Sequence, residues 1–222
     1  STGRRTLAAG RLAGMLTGLR VLDLSRVLAG PYCTQLLADL GADVVKVESP
    51  RGDDTRGWGP PWLGAESGYF LSVNRGKRSL AVDLKDPRGA ELVRRLAARA
   101  DVVVENFKVG DLARYGLDYA SVAAVNPRVV YVSITGFGQT GPRAKEPGYD
   151  AALQALSGVM AMTGEEGRPP VKLPVAFIDV LTGLHAAAGA LAALRRVALE
   201  GEGVHLDVSL FDVALASSVN QA

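Results

Sequence analysis

The sequence predicts an α/β protein in which a mostly parallel sheet is flanked by helices. Three observations predict it. Short runs of Val, Leu and Ile recur along the chain, helical segments of about ten to fifteen residues separate them, and glycine, proline and polar residues collect where each run ends. At 222 residues, with 48% hydrophobic and 22% charged residues, the chain can bury a substantial core.

The elements follow in order. The pattern predicts a strand over 20–24, a helix over 31–40 closed by Gly41, and a second strand over 43–47. Residues 51–64, rich in Gly, Pro and Trp, predict a long loop. Alternation over 69–73 and 79–84, around Asn74-Arg75-Gly76-Lys77, predicts two strands joined by a hairpin-like turn. The βα rhythm resumes with a helix over 87–100, a strand over 102–105, a helix over 111–125 and a strand over 129–134. An Ala-rich helix is predicted over 180–199, and residues 209–216 read as one more helical stretch. Ahead of a single domain over 17–222, residues 1–16 predict an N-terminal extension or tail. Its arginines and lack of acids leave a mitochondrial transit peptide as the alternative.

Charge and residue counts exclude several classes. Twenty-five basic against twenty-three acidic residues leave a net charge of +2, so no global field favours nucleic acid or a membrane. An anionic ligand must therefore meet a local patch. No run of eighteen uncharged apolar residues occurs, which predicts no membrane span. The single Cys33 excludes an internal disulfide and fits a reducing, cytoplasmic setting. His185 and His205 lie too far apart for a local metal pair, so no metal is expected. Residues 136–141 match G-x-G-x-x-G, but Pro142 and Pro147 follow where a helix must open. That loop reads as a turn around a substrate or partner rather than a dinucleotide site. Neither a P-loop nor a G-x-S-x-G elbow occurs. In Leu173-Pro174-Val175-Ala176-Phe177-Ile178-Asp179-Val180 a carboxylate stands at the mouth of the Ala-rich helix, where it is either a helix cap or a nucleophile.

Several segments, in order, closely resemble one family. They are Gly18-Leu19-Arg20-Val21-Leu22-Asp23-Leu24-Ser25-Arg26-Val27-Leu28-Ala29-Gly30-Pro31, then Leu40-Gly41-Ala42-Asp43-Val44-Val45-Lys46-Val47-Glu48, Asn74-Arg75-Gly76-Lys77-Arg78-Ser79 and Val104-Glu105-Asn106-Phe107. With the 136–142 loop, Gly148-Tyr149-Asp150 and the Asp179 segment, they resemble the class III CoA-transferases of the CaiB/BaiF type from residue 17 onward. The resemblance implies a Rossmann-like sheet, the N-terminal part of the family's large domain. It implies that CoA moves from an acyl-CoA donor such as succinyl-CoA to a carboxylic acid, with Asp179 as nucleophile and an aspartyl-CoA thioester on the path. Coenzyme A thioester is then a substrate, and no tightly bound cofactor is expected.

By position in the matched motifs, Arg26, Val27, Leu28 and Ala29 resemble the family's loop near the thiol end, and Asn106, Phe107, Arg114 and Tyr115 its adenine and pantetheine path. Phe107 and Tyr115 read equally well as core aromatics. Lys77 and Arg78 are either phosphate partners or solvated residues of a basic turn. Asp54-Thr55-Arg56-Gly57-Trp58-Gly59-Pro60-Pro61 looks most like the dicarboxylate members, of the succinyl-CoA:glutarate kind. Charge complementarity then points to Arg56 and Arg75 for a distal carboxylate, with Gly138 and Tyr149 as further substrate contacts. The related α-methylacyl-CoA racemases carry histidine where Tyr149 stands. A phenol, with an ordinary pKa of about 10, is a poor base for an α-proton, so transfer is favoured and Tyr149 and Gln154 orient substrate. Family members are longer and fold as interlocked homodimers, which implies a second copy or a separate C-terminal half as partner. A CoA-binding subunit without turnover and a racemase-like isomerase stay open as other readings.

Overall fold

A six-stranded parallel sheet forms the centre of the computed structural model, which describes residues 14–221. In chain order the strands are β1 (Arg20–Asp23), β2 (Asp43–Glu48), β3 (Trp62–Leu63), β4 (Glu66–Ser67), β5 (Lys77–Ala81), β6 (Val102–Glu105), β7 (Val130–Thr135) and β8 (Val204–Ser209). β3 and β4 pair with each other as a small antiparallel hairpin. The helices are α1 (Ala29–Asp39), α2 (Gly68–Asn74), α3 (Pro87–Ala97), α4 (Tyr119–Val125), α5 (Asp150–Leu156), α6 (Val159–Met162), α7 (Phe177–Glu200) and α8 (Leu210–Ser217).

The sheet order is β5-β2-β1-β6-β7-β8, with every neighbouring pair parallel. The chain winds outward from β1 to β5, then crosses back to lay β6 on the other side of β1. This is the Rossmann order, and its switch point lies at the C-terminal ends of β1 and β6, where such sheets bind ligands. β6 is buried along its whole length, as expected of a strand covered on both faces. Val102 and Val104 face the side covered by α1, α7 and α8, whereas Val103 faces the side covered by α3 and α4. By length and composition α7 is also long and apolar enough to cross a bilayer. Here it packs on α1, α8, β7 and β8, burying Ala186, Ala187, Ala190 and Ala193. Gly183 permits the close approach to α1, since a Cβ there would lie 2.7 Å from the Ala29 carbonyl oxygen.

Three expectations are corrected. Residues 68–74 form α2, not a strand: Ser67 Oγ accepts the Phe70 N–H at 3.0 Å, and Phe70, Val73 and Asn74 are buried at helical spacing. No hairpin follows, because β5 runs parallel to β2. The helix over 111–125 is broken at Gly116, which takes φ 62° and leaves a short 3-10 turn (Ala113–Tyr115) before α4. At the end of the expected extension the Gly14 and Leu16 amides both donate to the Leu40 carbonyl. The remainder of that extension, and the transit-peptide alternative with it, lies outside the described residues.

Candidate active site

Asp179 sits in the first turn of α7, beside the turns that leave β1 and β6. The helix opens at Phe177, and the expected cap role falls to another residue. Asp150, first residue of α5, reaches across so that its Oδ1 accepts the Ile178 N–H at 2.7 Å and the Asp179 N–H at 3.1 Å. Those are two of the amides a helix start leaves unpaired. Asp150 is held in turn by the Gln154 side-chain amide, whose oxygen accepts the Leu173 N–H at 2.9 Å. Gln154 thus braces the site from below instead of facing substrate. With its capping duty removed, the Asp179 carboxylate borders a cavity of about 250 Å³. Burial, and then the charge of Asp150, push its pKa up to about 7.

The same cavity gathers most of the residues singled out from sequence: Arg26, Val27, Leu28, Ala29, Asn106, Phe107 and Tyr149. Loop 25–29 follows β1 and Asn106–Phe107 follows β6, so the switch point brings them together. Asn106 locks the two turns to each other, accepting the Arg26 N–H at 2.9 Å and donating to the Arg26 carbonyl at 2.7 Å. Glu105 accepts the Phe107 N–H at 2.8 Å, and burial pushes its pKa up to about 7. Tyr149 is 74% exposed on the rim. Gly136 and Gly148 let the segment before it fold back, since a Cβ on Gly136 would lie 2.6 Å from the Gly148 Cα. A larger cleft of about 610 Å³ adjoins this cavity and shares Arg26, Asp54 and Phe107 with it; Arg51, Lys85, Arg114 and Tyr115 are among its other lining residues, together with the acids Glu48, Asp53, Asp83 and Asp111.

Other expected contacts fall elsewhere. Lys77 is buried, with Nζ bonded to Asp23 Oδ2 at 3.0 Å, the Pro31 carbonyl at 2.8 Å and Asn74 Oδ1 at 2.9 Å. All three of its donors are occupied, so it presents nothing to a phosphate. Arg78 pairs with Asp43 at the start of β2, the sheet end opposite the switch point. Arg56 is occupied by Glu48 and Glu66 and stacks on Phe70, its carbon 3.7 Å from the ring centre; Arg75 pairs with Asp39. Gly138 faces Asp207 with φ 84°, and Gly136 borders the cavity in its place.

Sequence reasoning missed Trp58, Lys108 and Lys145, which line the Asp179 cavity, and Arg51 and Lys85 in the larger cleft. It also missed Tyr69, whose pKa is pushed up to about 12 by burial and then by the charge of Asp179. The ring of Trp58 meets Tyr69 edge-on at 5.4 Å. Their common signal is position after a strand or at a chain reversal. Among the described residues no group of three His, Cys, Asp or Glu is arranged to hold a metal.

A Rossmann-ordered sheet with Asp179 beside a cavity at its switch point defines an α/β domain of the class that binds ligands at the carboxyl ends of its strands. Residues 16–222 match the family model for CoA-transferase family III, and the chain belongs to that family. It is 52% identical over 213 residues to the succinate–glutarate CoA-transferase of Agrobacterium fabrum, covering 93% of this chain and 53% of that protein. It is 50% identical over 202 residues to succinyl-CoA:glutarate CoA-transferase of Mus musculus, covering 90% and 46%. Among solved structures, a CaiB/BaiF family protein from Brucella suis superposes with a TM-score of 0.91 at 52% identity, covering 93% of this chain and 56% of that one. The chain spans about half the length of the curated relatives it matches.

Proposed function

We propose that the chain carries the nucleophile and much of the CoA site of a transferase that moves CoA from a donor such as succinyl-CoA to a dicarboxylic acid. One observation carries the reading: the Asp179 carboxylate, freed from capping by Asp150, borders the cavity shared by loop 25–29 and Asn106–Phe107. An Asp179 oxygen attacks the donor thioester carbonyl, the C–S bond breaks, and CoA thiolate leaves behind a mixed anhydride. The thiolate attacks the Asp179 carbonyl, releasing the donor acid and forming the aspartyl-CoA thioester. The acceptor carboxylate then attacks that carbonyl and expels the thiolate. Thiolate attack on the acceptor's acyl carbon frees Asp179 and completes the new acyl-CoA. No proton is consumed in the cycle.

The larger cleft has the size for the nucleotide end of CoA and carries Arg51 and Lys85 among its carboxylates, with Arg114 held by Asp111, and the Asp179 cavity suits the thiol end. Arg56 and Arg75 are already paired, and Arg26 meets Asp54 at 3.7 Å, so Lys108 and Lys145 are the cations in place for the acceptor's far carboxylate or for phosphate. The names of the relatives support a dicarboxylic acceptor. Neither His185 nor His205 borders the cavity, which favours transfer over racemisation. A homodimer and a cytoplasmic setting belong to the same reading. Exposed Phe177, Leu184 and Leu215, on helices next to the site, support the first.

Intact-mass spectrometry after incubation with succinyl-CoA, with hydroxylamine trapping and peptide mapping, tests the nucleophile. A label on Asp179 that disappears in Asp179→Ala is expected. CoA binding with Asp179 unlabelled sinks the assignment.

A further inference from the structure

The turn between β1 and α1 is held by side chains at every step. The Ser25 N–H donates to Asp23 Oδ1 at 2.9 Å, and the Ser25 carbonyl accepts from Lys46 Nζ at 2.8 Å. Asn106 takes both the N–H and the carbonyl of Arg26. The Val27 N–H is shared between the two carboxylate oxygens of Asp53, at 3.3 and 3.4 Å. The backbone polar groups of Ser25 and Arg26 and the Val27 amide are thus all bonded to side chains, which come from β1, from β2 and from the segments after β2 and β6. Most turns bond their amides to backbone or water instead.

The reason for such restraint is visible at Val27, whose φ is +70°. A β-branched residue in the left-handed region is strained, and the strain persists only where the surroundings over-determine the conformation. Beneath the turn, Lys46 and Asp53 form an ion pair at 2.9 Å, each side chain 1% exposed. Thr55 fixes Asp53 through its N–H at 3.0 Å and its hydroxyl at 2.8 Å, and the Asp53 amide is anchored on Glu48. A buried ion pair gives little stability beyond an apolar pair of its size, so stability alone does not account for one here. Both residues reach the wall of the larger cleft but neither borders the Asp179 cavity, whereas Val27, Leu28 and Ala29 do. The pair spans the turn, Lys46 gripping the Ser25 carbonyl and Asp53 the Val27 amide.

We propose that Lys46 and Asp53 are positioning residues: together they hold Val27 in its left-handed conformation and so keep residues 26–29 in register with Asp179 and the bound thioester. Its functional consequence rests on the transferase reading; the conformational part does not.

The test uses Asp53→Asn, Val27→Gly and the double variant, because glycine adopts this φ without steric cost. Hydrogen–deuterium exchange of residues 24–30 and the CoA dissociation constant by calorimetry are read for each. Asp53→Asn is expected to speed exchange in that peptide, leaving β6 and β7 unchanged, and to weaken CoA binding about tenfold. Adding Val27→Gly is expected to recover most of the lost affinity, since the strain opposed by the pair is gone. Equal losses with and without Val27→Gly, or unchanged exchange in Asp53→Asn, would overturn the proposal. Should Asp53→Asn not fold, Val27→Gly alone decides: relief of strain raises the thermal midpoint by about 2–4 °C, and an unchanged or lower midpoint overturns it. Exchange and melting are read without ligand, so failure of the parent chain to bind CoA counts against the transferase reading and leaves the conformational result standing.

Discussion

At Asp179 the same burial that makes a carboxylate reactive makes it costly to the fold. Burial and Asp150 raise its pKa to about 7 from 3.8, so between those values the folded chain binds a proton that the unfolded chain has released. Stability therefore falls as pH climbs from about 4 to 7 and is flat above that. Asp179→Asn removes this charge, and the thermal midpoint it gains over the parent is expected to be larger at pH 8 than at pH 5. A gain that is equal or smaller at pH 8 contradicts the raised pKa. Lys77 illustrates the opposite balance. Burial alone would push the partnered Asp23 up, but Lys77, Lys46 and the hydroxyls of Ser25 and Thr34 outweigh it and hold the pKa down to about 2. Lys77→Met leaves Asp23 short of its counter-ion in the core and is expected to cost about 3–5 kcal/mol in urea unfolding. A phosphate ligand would instead have lost CoA affinity with little change in stability. Sequence could not separate these outcomes, because Asn74-Arg75-Gly76-Lys77 looks like a solvated basic turn until β5 is laid parallel to β2.

At the scale of elements, α7 depends on a cap from another helix. Asp150→Ala strips the acceptor from two first-turn amides and is expected to destabilise by about 1–2 kcal/mol, measured by denaturant midpoint. Asp150→Asn keeps an oxygen acceptor and removes the charge. It is expected to preserve stability and to shift the pH limb of Asp179 acylation downward, since the neighbouring negative charge is gone. A limb that stays in place would mean burial alone sets the Asp179 pKa. Much of the element pattern was legible: β1, β2, β6 and β7 are valine-rich runs with clear ends, and α1 and α3 carry the expected Gly41 and Pro87 signals. The Asp179 cavity was legible through its loops, because polar residues after parallel strands converge wherever the sheet order reverses. The failures share a physical cause. In residues 68–74 an alternating pattern overlies a helical one, and only Ser67 as N-cap decides between them. β8, with His205 and Asp207 interrupting its apolar residues, lies at the sheet edge and needs only one partner, so hydropathy does not mark it. Trp58, Tyr69 and Lys145 reach the site from irregular or short segments that no period announces.

Over the whole molecule, a net charge of +2 provides almost no long-range pull on an anion. Recognition of a polyanionic ligand must come from where the cations stand. Many arginines are neutralised in pairs remote from the site, among them Arg88 with Asp86, Arg196 with Glu200 and Arg78 with Asp43. Arg51, Lys85, Lys108 and Lys145, by contrast, line the two adjoining clefts at the switch end of the sheet. These four cations stand beside the clefts' own carboxylates, Glu48, Asp53, Asp54, Asp83 and Asp111 in the larger and Glu146 and Asp179 in the smaller, so each acts locally, and screening at physiological salt, with a length of about 8 Å, confines its influence to that end of the sheet. CoA affinity is accordingly expected to fall as salt rises. Lys85→Ala and Lys145→Ala should each weaken binding severalfold at low salt and flatten the salt dependence. Arg88→Glu, which alters net charge twice as much, should leave affinity within experimental error. Calorimetric titrations at two ionic strengths separate the alternatives: if Arg88→Glu weakens CoA as strongly as Lys145→Ala, the global field and not the clefts governs binding, and the placement of the nucleotide end in the larger cleft fails with it.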